Sequence, residues 1–149
     1  MERESEVQLI ADTVVGFPVA AGNYLSWVDQ RDAHVAIYSY HLDTQQATRI
    51  QELVQTYDVS SLVSDGQTVA WVDTTLPIQR IQSYTLNTGA VSTIITDTEA
   101  YGLGDIALAD GVLYYADTTP SHRGIYAYDL TTGQTQQVTP TGHQPVVRD

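Results

Sequence analysis

The chain has 149 residues, 6 lysines and arginines against 18 aspartates and glutamates, and a formal net charge of -12. Such a field repels a phosphate backbone and sets nucleic acid aside as a partner, while the lack of any cysteine removes disulfides, thiolate metal sites and thiol nucleophiles together. With 42% hydrophobic residues and ten tyrosines, the chain carries enough apolar surface to bury sheet faces in one domain.

The first segment, residues 1–11, opens Met1-Glu2-Arg3-Glu4-Ser5-Glu6, acidic where an export signal is basic and then apolar. No stretch of the sequence approaches the roughly 18 apolar residues that cross a bilayer, so no membrane partner is expected. Ser5 to Leu9 falls one repeat before Arg49 to Leu53. It therefore reads as a fourth strand with no sheet of its own, a clasp suited to the last sheet of a partner chain.

From residue 12 onward the chain repeats every 44 residues. Trp27-Val28-Asp29 returns as Trp71-Val72-Asp73 and as Tyr115-Ala116-Asp117, and Ile37, Tyr40, Leu42 and Thr44 return as Ile81, Tyr84, Leu86 and Thr88, then as Ile125, Tyr128, Leu130 and Thr132. A period of about 40 to 45 residues filled with short alternating strands is the signature of β-propeller blades, each a four-stranded antiparallel sheet. The units are 12–53, 54–97 and 98–141, with a tail at 142–149.

Within each unit the first strand is short and small-residued, Pro18 to Ala21, Leu62 to Ser64 and Ile106 to Ala109, as suits the crowded centre of a ring. It ends in Ala21-Gly22, Asp65-Gly66 and Asp110-Gly111, turns that take positive φ readily. The second strand centres on Leu25 to Val28, Val69 to Val72 and Leu113 to Ala116. The third spans Val35 to Leu42, Gln79 to Leu86 and Arg123 to Leu130, with apolar groups on both faces, so that each sheet needs a cover on each side. The turn into the last strand reads Asn87-Thr88-Gly89 and Thr131-Thr132-Gly133, whereas Asp43-Thr44-Gln45 lacks the glycine and is expected to be strained. The last strand, Thr48 to Leu53, Ser92 to Thr96 and Gln136 to Thr139, is more polar and reads as outermost.

Taken together, a glycine, an aromatic-Val-Asp and a run such as Gly124-Ile125-Tyr126-Ala127-Tyr128-Asp129-Leu130-Thr131-Thr132-Gly133 resemble the blades of TolB-like six-bladed β-propellers over about residues 17 to 139. The Ser-Pro-Asp-Gly turn usual in that family is reduced here to Asp65-Gly66 and Asp110-Gly111. The resemblance implies an all-β fold and two kinds of role, a protein-interaction module in cell-envelope assemblies or a gating domain attached to a peptidase. Three blades leave a bare sheet face at each end, and the six-bladed family number implies that a second copy completes the ring as a homodimer.

The edge where the second strand meets the third would gather Asp29, Asp73 and Asp117, with Tyr57 and Tyr101 in the loops leading into the first strand. Such a rim could take a cation, a sugar or a basic peptide, although Asp at these positions also bonds nearby amides. His34 and His122 share a repeat position with Ile78 between them, too far apart to share a metal. No G-x-S-x-G, H-E-x-x-H, phosphate loop or calcium loop occurs. The expectation is a non-catalytic binding module without cofactor or metal that associates with itself. A carbohydrate-binding or glycoside-acting propeller is the alternative.

Overall fold

The computed structural model describes residues 14–31, 34–55, 58–75, 78–100 and 102–139. Among the described residues twelve strands form three separate four-stranded sheets. The first holds β1 (Val14–Ala21), β2 (Tyr24–Arg31), β3 (His34–His41) and β4 (Gln46–Leu53); the second β5 (Val59–Ser64), β6 (Thr68–Asp73), β7 (Ile78–Thr85) and β8 (Val91–Ala100); the third β9 (Leu103–Ala109), β10 (Val112–Asp117), β11 (Gly124–Asp129) and β12 (Thr135–Thr139). Each sheet runs in chain order and every pairing is antiparallel.

The central pairs hold unbroken register, from Tyr24 opposite His41 to Arg31 opposite His34, and likewise in the other two sheets. Bulges are confined to the pairings of the inner and outer strands. Between the third and fourth strands the register shifts after Ile37, Ile81 and Ile125, the same repeat position each time. An extra residue there adds right-handed twist, which each sheet needs to stack on its neighbour.

The inner strands β1, β5 and β9 lie side by side, so the small-residue segments do occupy the centre. A Cβ built on Gly66 would stand 3.1 Å from the Gly22 nitrogen and 3.3 Å from the Ala21 carbonyl carbon. Two hairpins thus touch backbone to backbone. The third hairpin joins them through the Gly111 N–H, which donates to Asp65 Oδ2.

Alternation along the strands assigns the faces. Val28, Ile37, Ile50 and Leu53 of the first sheet pack with Leu62, Val69 and Trp71 of the second. Ala70, Val72 and Ile81, on the second sheet's other face, pack with Leu103, Ile106, Leu113 and Tyr115 of the third. Both inter-sheet layers are therefore apolar, as two-sided burial requires.

The terminal faces differ from the expectation of two bare surfaces. On the outward face of the first sheet Trp27 is 2% exposed and Ala36 1%, with Tyr40 at 9%, and Trp27 stacks on Tyr38. That face is already buried in the single chain. On the outward face of the third sheet Val112, Tyr114 and Ala127 are only half-buried.

The turn without glycine behaves as its composition predicts. Gln45 sits at φ 58°, where Gly89 and Gly133 sit at 74°. All three donate their N–H to the residue four back, His41, Thr85 and Asp129. His41 Nδ1 further accepts from the Asp43 and Thr44 amides, the same service that Asp129 Oδ1 gives Thr131 and Thr132.

Candidate functional site

Asp73 and Asp117 close the second strands of their sheets and Asp29 lies two residues before the end of β2, each two residues beyond an aromatic on the same face. Period-two alternation turns the Asp73 and Asp117 carboxylates toward the preceding sheet, and puts Asp29 with Trp27 and Ala36 on the first sheet's outward face. They are accordingly buried, at 0%, 6% and 8% exposure. The sequence reading placed them in an open rim, whereas the structure seats them just beneath it.

Their partners differ. Asp29 Oδ2 accepts the Trp27 indole N–H at 3.0 Å. Asp73 Oδ1 accepts from the Thr75 amide and hydroxyl, and its Oδ2 meets the Arg80 guanidinium at 2.7 Å. With Asp73 committed to Arg80 and Thr75, the buried Trp71 indole N–H, repeat equivalent of Trp27, has no hydrogen-bond partner among the described residues. Asp117 Oδ1 accepts from the Thr119 amide and hydroxyl in the manner of Asp73, but its Oδ2 receives no hydrogen bond from a described residue.

The reason lies directly across the strand pair. Asp29 faces Ala36, Asp73 faces Arg80, and Asp117 faces Gly124. Where the second blade has a guanidinium, the third has no side chain at all. A cavity of about 230 Å³ opens there between the second and third sheets, lined by Ile95, Thr96, Leu103, Tyr115, Asp117, His122 and Tyr126.

Tyr115 and Tyr126 stack with ring centroids 5.3 Å apart, and the Tyr126 hydroxyl donates to the His122 carbonyl at 2.7 Å. Burial first, and then the Asp117 charge, pushes the Tyr115 hydroxyl up to about 12. The tyrosine therefore stays neutral and leaves Asp117 as the negative group of the cleft.

A second cleft, about 180 Å³, lies between the first and second sheets at the opposite edge and is lined by residues that include Tyr24, Ser39, His41 and Tyr84, with no carboxylate, lysine or arginine among them. It contains none of the predicted site residues. Tyr57 and Tyr101 lie outside the described residues. Asp58, beside Tyr57, is 4% exposed and accepts the Val54 and Gln55 amides, a turn-holding role. His34 approaches Glu52 at 3.3 Å and His122 contacts Ser121, so the two histidines stand apart. Among the described residues no cluster of three or more potential metal ligands occurs. The loss of the arginine opposite Asp117 was readable from the repeat alignment, but only once strand register showed which residues face each other.

No family model matches the sequence and no curated protein is similar to it. Solved structures do resemble it. TolB from Acinetobacter baumannii is 17% identical, with a TM-score of 0.59 over 82% of this chain and 31% of its own. The β-propeller domain of the Trilobed protease from Pyrococcus furiosus is 12% identical, with a TM-score of 0.61 over 84% and 42%. An acylaminoacyl peptidase from Pyrococcus horikoshii is 11% identical, with a TM-score of 0.60 over 85% and 25%. The chain spans less than half the length of each of these structures. At such identity the likeness establishes the fold alone, three four-stranded blades of a β-propeller.

Proposed function

We propose that this chain is a non-catalytic binding module, three blades of a six-bladed ring completed by a second copy, with Asp29, Asp73, Asp117, Tyr57 and Tyr101 at its ligand-facing edge. The observation that carries the reading is the chemistry of the two terminal faces. Thr68 and Ser83, on the second sheet's face against the third, become Val112 and Ala127 on the third sheet's outward face. Arg80 and Gln82, on the second sheet's face against the first, become Ala36 and Tyr38 on the first sheet's outward face. At these central positions both ends carry apolar side chains where the inter-blade joint has polar ones, although Thr85 becomes Asp129 and Ile78 becomes His34 nearer the strand ends, a pattern that suits surfaces that meet another blade.

Ring closure sets the third sheet of one copy on the first sheet of the other, twice, about a two-fold axis. The first sheet's face must then be given up to the partner, because Trp27 and Ala36 are already buried in the single chain. A role without catalysis is supported by the engagement of Asp73 and Asp117 in their own turns and of Asp29 with the Trp27 indole.

Light scattering after gel filtration tests the reading. A mass of twice 16.4 kDa is expected, with Tyr114→Glu on the third sheet's open face returning it to a single copy. A monodisperse wild-type species of 16.4 kDa at micromolar concentration refutes the ring.

A further inference from the structure

The repeat supplies its own template for what belongs in the cleft beside Asp117. In the second blade the aspartate at this position is met by the Arg80 guanidinium on the opposite strand, Nη2 to Oδ2 at 2.7 Å. In the third blade the aspartate, its Thr partner and its burial are retained, while the arginine position is Gly124. What remains is a carboxylate more than nine-tenths buried, with one oxygen unbonded by any described residue, on the wall of a cavity of about 230 Å³. Burial of a charge without a counter-charge is costly, so this site favours an incoming cation strongly.

The rest of the lining suits the stem of such a group. Ile95 and Leu103 offer apolar contact to methylenes, and Tyr115 and Tyr126 present aromatic surface to a flat cation. The volume falls below the ~300 Å³ lower end for drug-sized ligands and fits one long side chain.

We propose that the cleft between the second and third blades binds a guanidinium group, the side chain of an arginine presented by a peptide or small molecule, with Asp117 Oδ2 as its anchor. The proposal rests on reading the chain as a binding module and is independent of ring closure. Its ligand takes the place that Arg80 occupies in the second blade, with the planar fork meeting the carboxylate.

Isothermal titration at low salt with Nα-acetyl-arginine N-methylamide, and with its uncharged citrulline counterpart, tests this on the full chain. Saturable binding of the arginine compound is expected, at least tenfold tighter than the citrulline compound and weakened at least tenfold by Asp117→Asn. Thr96→Trp, at an exposed position of the outer strand β8, obstructs the cleft without touching the carboxylate and is expected to weaken binding similarly. This second variant keeps the test decisive should Asp117→Asn fail to fold. No saturable binding, equal binding of citrulline, or binding unchanged in Thr96→Trp overturns the proposal. The mass of the same sample reports separately on the ring, because arginine binding by a single copy leaves this inference standing while refuting ring closure.

Discussion

Replacing Gln45 with glycine is expected to stabilise the protein, against the usual direction of substitutions. Gln45 holds φ 58° in the turn from β3 to β4, while the equivalent Gly89 and Gly133 hold 74°. A left-handed backbone costs a residue with a Cβ about 1 to 2 kcal/mol, and glycine costs ~0.5 to 1 kcal/mol through the greater freedom of the unfolded chain. The difference leaves a gain of about 0.5 to 1 kcal/mol for Gln45→Gly. At ~2 to 4 °C per kcal/mol for a domain of this size, the thermal midpoint rises by about 1 to 4 °C, measurable by calorimetry. The reverse change supplies the control. A Cβ at Gly89 or Gly133 meets only a tyrosine hydroxyl at 3.5 Å, so Gly89→Gln adds backbone strain without a clash and should cost a similar amount. A midpoint lowered by Gln45→Gly, or raised by Gly89→Gln, refutes the strain account.

Gly66→Ala should destabilise more than Gly111→Ala, since both have positive φ but only the first places a Cβ against the backbone of the neighbouring hairpin; overpacking adds ~1 to 3 kcal/mol, and equal losses in urea melts would contradict the contact. Arg80→Ala is expected to cost about 1.5 to 3 kcal/mol by leaving the buried Asp73 carboxylate without its charged donor, with Arg80→Ala/Asp73→Asn recovering part of the loss. Because the Tyr115 pKa is raised from 10.0 to about 12, its protonated form is favoured in the folded state. The contribution is present below pH 10 and is lost as pH rises toward 12. Tyr115→Phe should therefore lose less stability than wild type between pH 9 and 11.5, by at most ~3 kcal/mol, and parallel curves would show that this hydroxyl is not the titrating group. His41→Asp should preserve the first turn while His41→Ala weakens it, because Asp129 caps the matching amides in the third blade.

Much of the fold was legible because the repeat makes each blade a check on the other two. The Trp-Val-Asp steps placed the second strands, and the Ile-to-Tyr spacing revealed sheets apolar on both faces. The sequence reading of the first strands was too short, however. β1 begins at Val14 rather than Pro18, and a bulged register with Phe17 at φ 59° carries it past the proline. β8 likewise runs to Ala100 rather than Thr96. Bulges hide strand length from a period-two reading, because alternation breaks wherever one residue is inserted. The depth of the three aspartates was less legible, since a place near the hairpin suggests solvent, while alternation counted from Trp71 or Tyr115 points Asp73 and Asp117 into an inter-sheet layer and alternation from Trp27 puts Asp29 on the buried outward face of the first sheet. The burial of Trp27 in a terminal sheet has no counterpart in the repeat pattern, which describes a blade and not the end of a row.

The departures from the repeat are more informative than the repeat itself. Identical spacing supplies a buried carboxylate three times, and a single variable position opposite, Ala36, Arg80 or Gly124, decides what that carboxylate does. With alanine opposite, Asp29 bonds the indole N–H two residues back. With arginine, Asp73 forms an ion pair across the strands and the neighbouring indole finds no partner among the described residues. With glycine, Asp117 keeps its turn but has an oxygen facing open volume. Desolvation makes these outcomes unequal, because a carboxylate drawn out of water is held better by a guanidinium than by a neutral donor. Glycine at position 124 in place of a second Arg80 leaves the third carboxylate open to the cationic ligand proposed above.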